Sequence, residues 1–206
     1  PICAMKYLKE SLSIRRKLGN PVDLSLTLNR MGTFQLKNGQ FEAAKTTFNE
    51  VITLIDESTD KRAFVNATNL LTTACLETGD FNNAKKWIDK SHQLAEELND
   101  NGYISNARYN EANLYYYIGK YREGVEINSK VIAYLEEQKT PDKMPQLQAA
   151  YLQHFNLLGE LGLKSTEQWY QKLVETRPND KMLALIYLNY ARYFQRIGDT
   201  KQFMAF

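Results

Sequence analysis

Only two cysteines, five prolines and two histidines are spread over 206 residues, and each scarcity closes off a class of protein. Cys3 and Cys75 stand far apart, with no Cys-x-x-Cys spacing, so neither a disulfide framework nor a zinc knuckle can be built. Both are expected as buried free thiols. His92 and His154 are isolated, and there is no His-Glu-x-x-His motif and no phosphate-cradling glycine loop. No apolar run approaches the ~18 residues that span a bilayer; Val51-Ile52-Thr53-Leu54-Ile55 is far too short. The net charge of +2, without a dense Lys/Arg block, leaves no electrostatic footprint for nucleic acid. No secretory leader is visible at Pro1, where the residues read like the inside of a domain. No stretch reads as a strand. What remains is 43% hydrophobic and 24% charged, the balance of an ordinary globular chain.

Against these absences stands one repeated stretch. Gly39-Gln40-Phe41-Glu42-Ala43-Ala44 returns as Gly79-Asp80-Phe81-Asn82-Asn83-Ala84 and as Gly119-Lys120-Tyr121-Arg122-Glu123-Gly124, forty residues apart each time. Weaker copies begin at Gly159 and Gly198. Two antiparallel helices joined by a very short turn need a residue free to take positive φ, which glycine supplies. The aromatic two places later opens the second helix. The small residue three further on (Ala44, Ala84, Gly124) lets the helices approach. Gly32 suits the same purpose on the first helix, with Thr72, Ala112 and Ala191 at the equivalent places.

Apolar periodicity predicts helices over 5–18, 22–37, 41–56, 63–77, 81–98, 104–118, 121–137, 145–158 and 181–197, with a short one ending near Thr176. Gly19-Asn20-Pro21 ends the first, and Asn99-Asp100-Asn101-Gly102 forms a loop. The stretch 138–143 is the longest linker, and 159–164 is a looser, glycine-rich turn. Ser165-Thr166-Glu167-Gln168 has capping-box form and is expected to start the short helix.

The pattern resembles tetratricopeptide repeats, in which small, aromatic and small residues recur around a helix–turn–helix. Gly32, Gly39, Phe41, Ala44 and Phe48 match in the first full repeat; Gly79, Phe81, Ala84 and Ile88 in the second; Gly119, Tyr121 and Gly124 in the third. Lys164 replaces the small residue of the fourth. The forty-residue period exceeds the usual 34 and looks like the longer-helix subclass found in bacterial signalling regulators, peptide-pheromone sensors and kinesin light chains. HEAT-type solenoids run near that period too but lack the Gly-x-aromatic-x-x-Ala turn. The resemblance implies an all-α fold, a right-handed α-α superhelix: a TPR-like solenoid of antiparallel helix pairs. It implies one array over 1–206: a half repeat 1–18, repeats at about 22–58, 62–99, 103–138 and 144–177, and a partial repeat 180–206. Neither end carries a polar capping repeat, so a segment of a longer protein is expected.

In such arrays the first helix of each pair lines the concave face. The resemblance therefore points to a peptide- or protein-binding groove made of two rows read at the repeat period. One is Asn66, Asn106 and Gln146; the other is Asn29 and Asn69, then Tyr109, flanked by Arg30 and Asn110. Thr33, Thr73, Asn113 and Gln153 follow, then Tyr116, Tyr117 and Asn156, with Asn189 and Arg192 in the last helix. Carboxamides both donate and accept, so they can pair with a peptide backbone. Tyrosines add apolar area with a polar tip. Packing between repeats is a competing reason for the same recurrence.

The expected function is a non-enzymatic protein- or peptide-binding scaffold, the sensor or interaction segment of a larger bacterial signalling or transcription-regulating protein. Alternatives are a peptide-pheromone-responsive regulator whose effector domain lies elsewhere, and an array attached to an enzyme domain. Neither cofactor nor metal is expected. Partners are a protein or peptide in the groove, without direct nucleic-acid or membrane contact; a homodimer is compatible with this reading. A cytoplasmic setting is expected, with a periplasmic sensor segment as the alternative.

Overall fold

The computed structural model describes residues 2–58, 60–138, 140–199 and Gln202, with side chains from Met5 onward. It is all-α among those residues. Packing divides it into two compact units, Pro1–Asn110 and Glu111–Phe206. The first holds α1 (Ile2–Leu18), α2 (Pro21–Lys37), α3 (Phe41–Leu54), α4 (Lys61–Glu77), α5 (Phe81–Glu97) and the start of α6 (Asn101–Tyr117). The end of α6 belongs to the second, with α7 (Tyr121–Gln138), α8 (Met144–Glu160), α9 (Thr166–Glu175) and α10 (Asp180–Ile197).

Each hairpin closes on the same local chemistry. Gly39 takes φ +72°, its N–H bonds to Leu36 O, and the N–H of Gln40 reaches back to Gln35 O at 2.9 Å. This is the Schellman closure, which satisfies carbonyls that the end of a helix leaves open. Gln40 O then accepts from Ala44 N, so one residue ends α2 and begins α3. The bond recurs from Asp80 N to Cys75 O and from Lys120 N to Tyr115 O. Between hairpins the caps are side chains: Asn20 accepts from Val22 N and Asp23 N, Asp60 from Ala63 N, and Asn179 from Met182 N.

Small residues let the paired helices meet. At Gly32 an added methyl would lie 2.5 Å from the Phe48 ring, which is itself fully buried. At Gly124 the Tyr115 Cβ comes within 3.4 Å of the same hypothetical carbon. Within the first unit α2 packs on α3, α3 on α4 and α4 on α5, while α2 and α4 touch side by side. Leu28, Val51, Ile55, Val65 and Leu94 form its centre. Thr68 and Ser91 share a buried hydrogen bond of 2.9 Å across α4 and α5, which removes the cost of burying two hydroxyls. In the second unit α8 packs between α7 and α9, and α10 rests on both α8 and α9.

Three local expectations are corrected. Helix α6 starts at Asn101, not Ile104, because Asn99 adopts φ +50° and Asp100 accepts from the N–H groups of Gly102 and Tyr103. Asparagine is among the few residues that tolerate this left-handed region. Helix α8 runs on to Glu160, so Gly159 is helical and buried, and Gly162 takes the positive φ of the turn. The capping box at Ser165 does not form: Ser165 makes no cap hydrogen bond, and Thr166 Oγ1 donates to Leu163 O instead. Lys164 accordingly stands exposed in the turn. Cys75 is a buried free thiol, as expected; the Cys3 side chain and residues 203–206 lie outside the described residues.

Candidate functional site

Asn69, Thr73 and Asn110 come together in the first unit. Asn110 Nδ2 donates to Asn69 O at 3.1 Å and lies 3.4 Å from Asn69 Oδ1. Thr73 Oγ1 lies 3.3 Å from Asn69 O, in its own helix, and 3.4 Å from Asn110 Oδ1. These bonds run between α4 and α6, both first helices, and Asn69 and Asn110 are buried. Asn29 is buried as well. Asn29 Oδ1 and Asn69 Nδ2 have no hydrogen-bond partner among the described residues. Arg30, Asn66 and Asn106 are exposed on the same helices, and Tyr109 is half-buried. Asn99 and Asp100 set where α6 begins and so bring Asn110 level with Asn69.

In the second unit Gln153 Nε2 donates to Asn113 Oδ1, linking α8 to α6. Tyr117 and Gln146 are exposed, and the Gln146 amide turns back toward Asp142 O and Lys143 O at the start of its own helix. Tyr116, Asn189 and Arg192 converge on one cavity of about 410 Å³. Helix α8 adds Phe155, Asn156, Gly159 and Glu160; α10 adds Tyr193, Gln195 and Arg196. Phe155 and Tyr193 are buried and apolar in body, so they give the cavity a hydrophobic floor. The Tyr193 hydroxyl is buried without a hydrogen-bond partner among the described residues. Gly159 leaves room at the wall, with the Tyr193 ring 4.0 Å from where its Cβ would stand.

The two arginines differ. Arg196 is neutralised by Glu160 at 2.8 Å and donates to Gly159 O at 3.0 Å. Arg192 reaches only Asn189 Oδ1, at 3.5 Å, and no carboxylate among the described residues pairs with it. Tyr116 has its pKa raised first by burial and then by the Glu160 charge, so it stays a neutral donor and acceptor. The arrangement offers carboxamides, a phenol and one uncompensated cation over an apolar base. That combination suits binding more than bond-making. No group of three or more His, Cys, Asp or Glu that could hold a metal occurs among the described residues. Nor is any described helix long and apolar enough to cross a membrane.

Glu160, Gln195, Arg196 and Tyr193 escaped the sequence reading. A signal was there for two of them. Opposite charges recur near the repeat period as ion pairs, at Lys61–Glu97 and Arg62–Asp100, and Glu160–Arg196 is another. The Lys45–Asp80 pair is of the same kind; its hydrogen bond raises the pKa of Lys45 and lowers that of Asp80.

The tetratricopeptide repeat family model matches residues 27–57, most of α2 together with α3 and its turn. No curated protein matches the chain. Among solved structures, the crystal structure of BtubC (BKLC) from P. vanneervenii is similar with a TM-score of 0.68 at 14% identity, covering 98% of this chain and 85% of that one. The likeness to that protein is one of fold.

Proposed function

We propose that this chain is a non-catalytic binding segment that captures a protein or an extended peptide along the first helices of its hairpins. We further propose that it serves as the sensor or interaction part of a larger signalling or regulatory protein. Tetratricopeptide repeats generally mediate protein–protein interaction, and the match over α2 and α3 supports that reading here. The observation that carries it is the cavity of about 410 Å³ where Tyr116, Asn189 and Arg192 meet. A peptide brings alternating backbone donors and acceptors plus side chains that need a pocket. The carboxamides answer the first need, and the Phe155–Tyr193 floor answers the second.

Selection from a degenerate peptide library on the immobilised protein tests this. Enriched peptides should bind at least about tenfold more weakly to the Asn189→Ala, Arg192→Ala double variant, a loss near 1.4 kcal/mol. The thermal midpoint should stay unchanged, because Asn189 is only half-buried and Arg192 is exposed. Equal binding by the two proteins would overturn the assignment.

A further inference from the structure

The second unit carries another cluster that the cavity above does not use. His154 of α8 is 4% exposed, and its ring centroid lies 4.2 Å from that of Trp169 in α9. Lys172, also in α9, sets its ammonium 4.6 Å from the centre of the same indole and 5.4 Å from that of Tyr151. Its Nζ is also 3.1 Å from Glu136 Oε1 of α7. Tyr151 donates to that same oxygen at 2.6 Å. His154 Nδ1 is buried without a hydrogen-bond partner among the described residues.

The charges around the ring come from three directions. Lys172 acts from α9, and Glu175 of that helix acts on Tyr151. Glu136 acts from α7 through Lys172 and Tyr151. On α8 the one charged residue, Glu160, is engaged by Arg196 of α10; Arg192 borders that same end. The nearest charge to His154 is thus another cation. An indole face attracts a cation electrostatically, and here Lys172 already holds that place. Burial first, then Lys172, hold the His154 pKa down at about 4.

We propose that the His154–Trp169–Lys172 stack is an acid-sensitive latch: protonating His154 displaces Lys172 from the indole and from Glu136, and loosens α9 from α8. A buried imidazolium at His154 cannot share the indole with Lys172 without a counter-charge, and Lys172, nearly half exposed, is the one free to leave. Helix α9 has only 10 residues, and beyond this stack it is held by buried Thr166 and Leu173, the Gln148–Thr176 hydrogen bonds and Tyr170 stacked on Tyr190, so release at Lys172 loosens the helix without freeing it. A cleft of about 520 Å³ bordered by Glu136, Tyr151, Lys172, Glu175 and Arg177 loses one of its two cations in the released state. Acidification therefore alters the charge of a second surface of the unit by withdrawing Lys172 from it.

With two histidines and two tryptophans in the chain, each is resolvable by NMR. On lowering the pH, the Trp169 indole N–H signal should move together with the His154 ring signals, well below the ordinary histidine range. The Trp87 signal should not follow. His154→Gln should abolish the Trp169 shift, and Lys172→Gln should move the His154 midpoint up toward its ordinary value. Helical circular dichroism should hold through the transition, which separates local release from acid unfolding. Should His154→Gln fail to fold, His154→Phe fills the same space without a titrating group. The latch is overturned by a Trp169 shift that persists without the imidazole, by a His154 midpoint unmoved in Lys172→Gln, or by helix loss coincident with the shift.

Discussion

At Gly32 one added carbon would stand 2.5 Å from the Phe48 ring, and that ring has nowhere to go because it is wholly buried. Overpacking of this kind costs about 1–3 kcal/mol, and Gly32→Ala belongs at the upper end. At Gly124 the nearest obstacle, at 2.7 Å, is Leu157 Cδ2, the end of a flexible side chain. Gly124→Ala should therefore cost about 1 kcal/mol, the lower end of the same range. Urea unfolding of the two variants ranks them, and an equal loss would mean that Phe48 relaxes as freely as a leucine. The buried carboxamides make a second contrast. Asn110 donates to the Asn69 carbonyl, which keeps Thr73 Oγ1 when that donor is lost, so Asn110→Ala should cost about 0.5–1.5 kcal/mol, the net worth of one hydrogen bond. Asn69→Ala removes an amide nitrogen that already lacks a partner among the described residues, and should cost less. Reversal of that order would show that the Asn69 side chain, not its carbonyl, holds the two helices.

Turns are the element whose chemistry transfers along the chain. Gly39 with φ +72° and Asn99 with φ +50° both precede a residue whose N–H bonds back five places, to Gln35 O and Ala95 O. The left-handed region costs a residue with a Cβ roughly 1–2 kcal/mol, a penalty asparagine partly escapes. Gly39→Ala should lose about that much, while Gly39→Asn should lose clearly less; thermal midpoints decide it. The same transferability explains what was legible in the sequence. Hairpins announce themselves through a glycine and an aromatic at fixed offset, because one short turn permits few alternatives. The fourth turn slipped by three residues since Gly159, in register, lies inside α8, where a Cβ would meet only ordinary contacts with Thr166 and Tyr193, while Gly162 turns the chain. The letter of a glycine does not say whether its residue turns the chain or lies within a helix. The candidate site was less readable for a related reason. A carboxamide bridging two hairpins and one lining an open cavity both recur with the repeat, so Asn69 and Asn189 look alike until neighbours are known. Arg192 stands out only once Glu160 is seen to be taken by Arg196.

For the molecule as a whole, acid stability should separate into two limbs. His154 is held neutral in the fold at a pKa of about 4, below the ordinary histidine value of 6.5. The unfolded chain therefore binds more protons at this site between pH 4 and 6.5, and stability must fall as pH drops through that window. The full shift sets a ceiling of about 3 kcal/mol on this loss. Carboxylates act lower down. Asp80 and Glu97 have depressed pKa values, chiefly from hydrogen bonds with Lys45 and Lys61. Their contribution is present above the ordinary carboxylate range and is lost as pH falls through their folded values, the same direction in a later window. Measured by urea unfolding at successive pH, wild-type stability should decline first between about 6.5 and 4 and again below it. His154→Gln should flatten the first decline and leave the second untouched. An unchanged upper limb in that variant would mean that some group other than His154 gains its proton on unfolding, and the buried imidazole would then carry no part of the acid response.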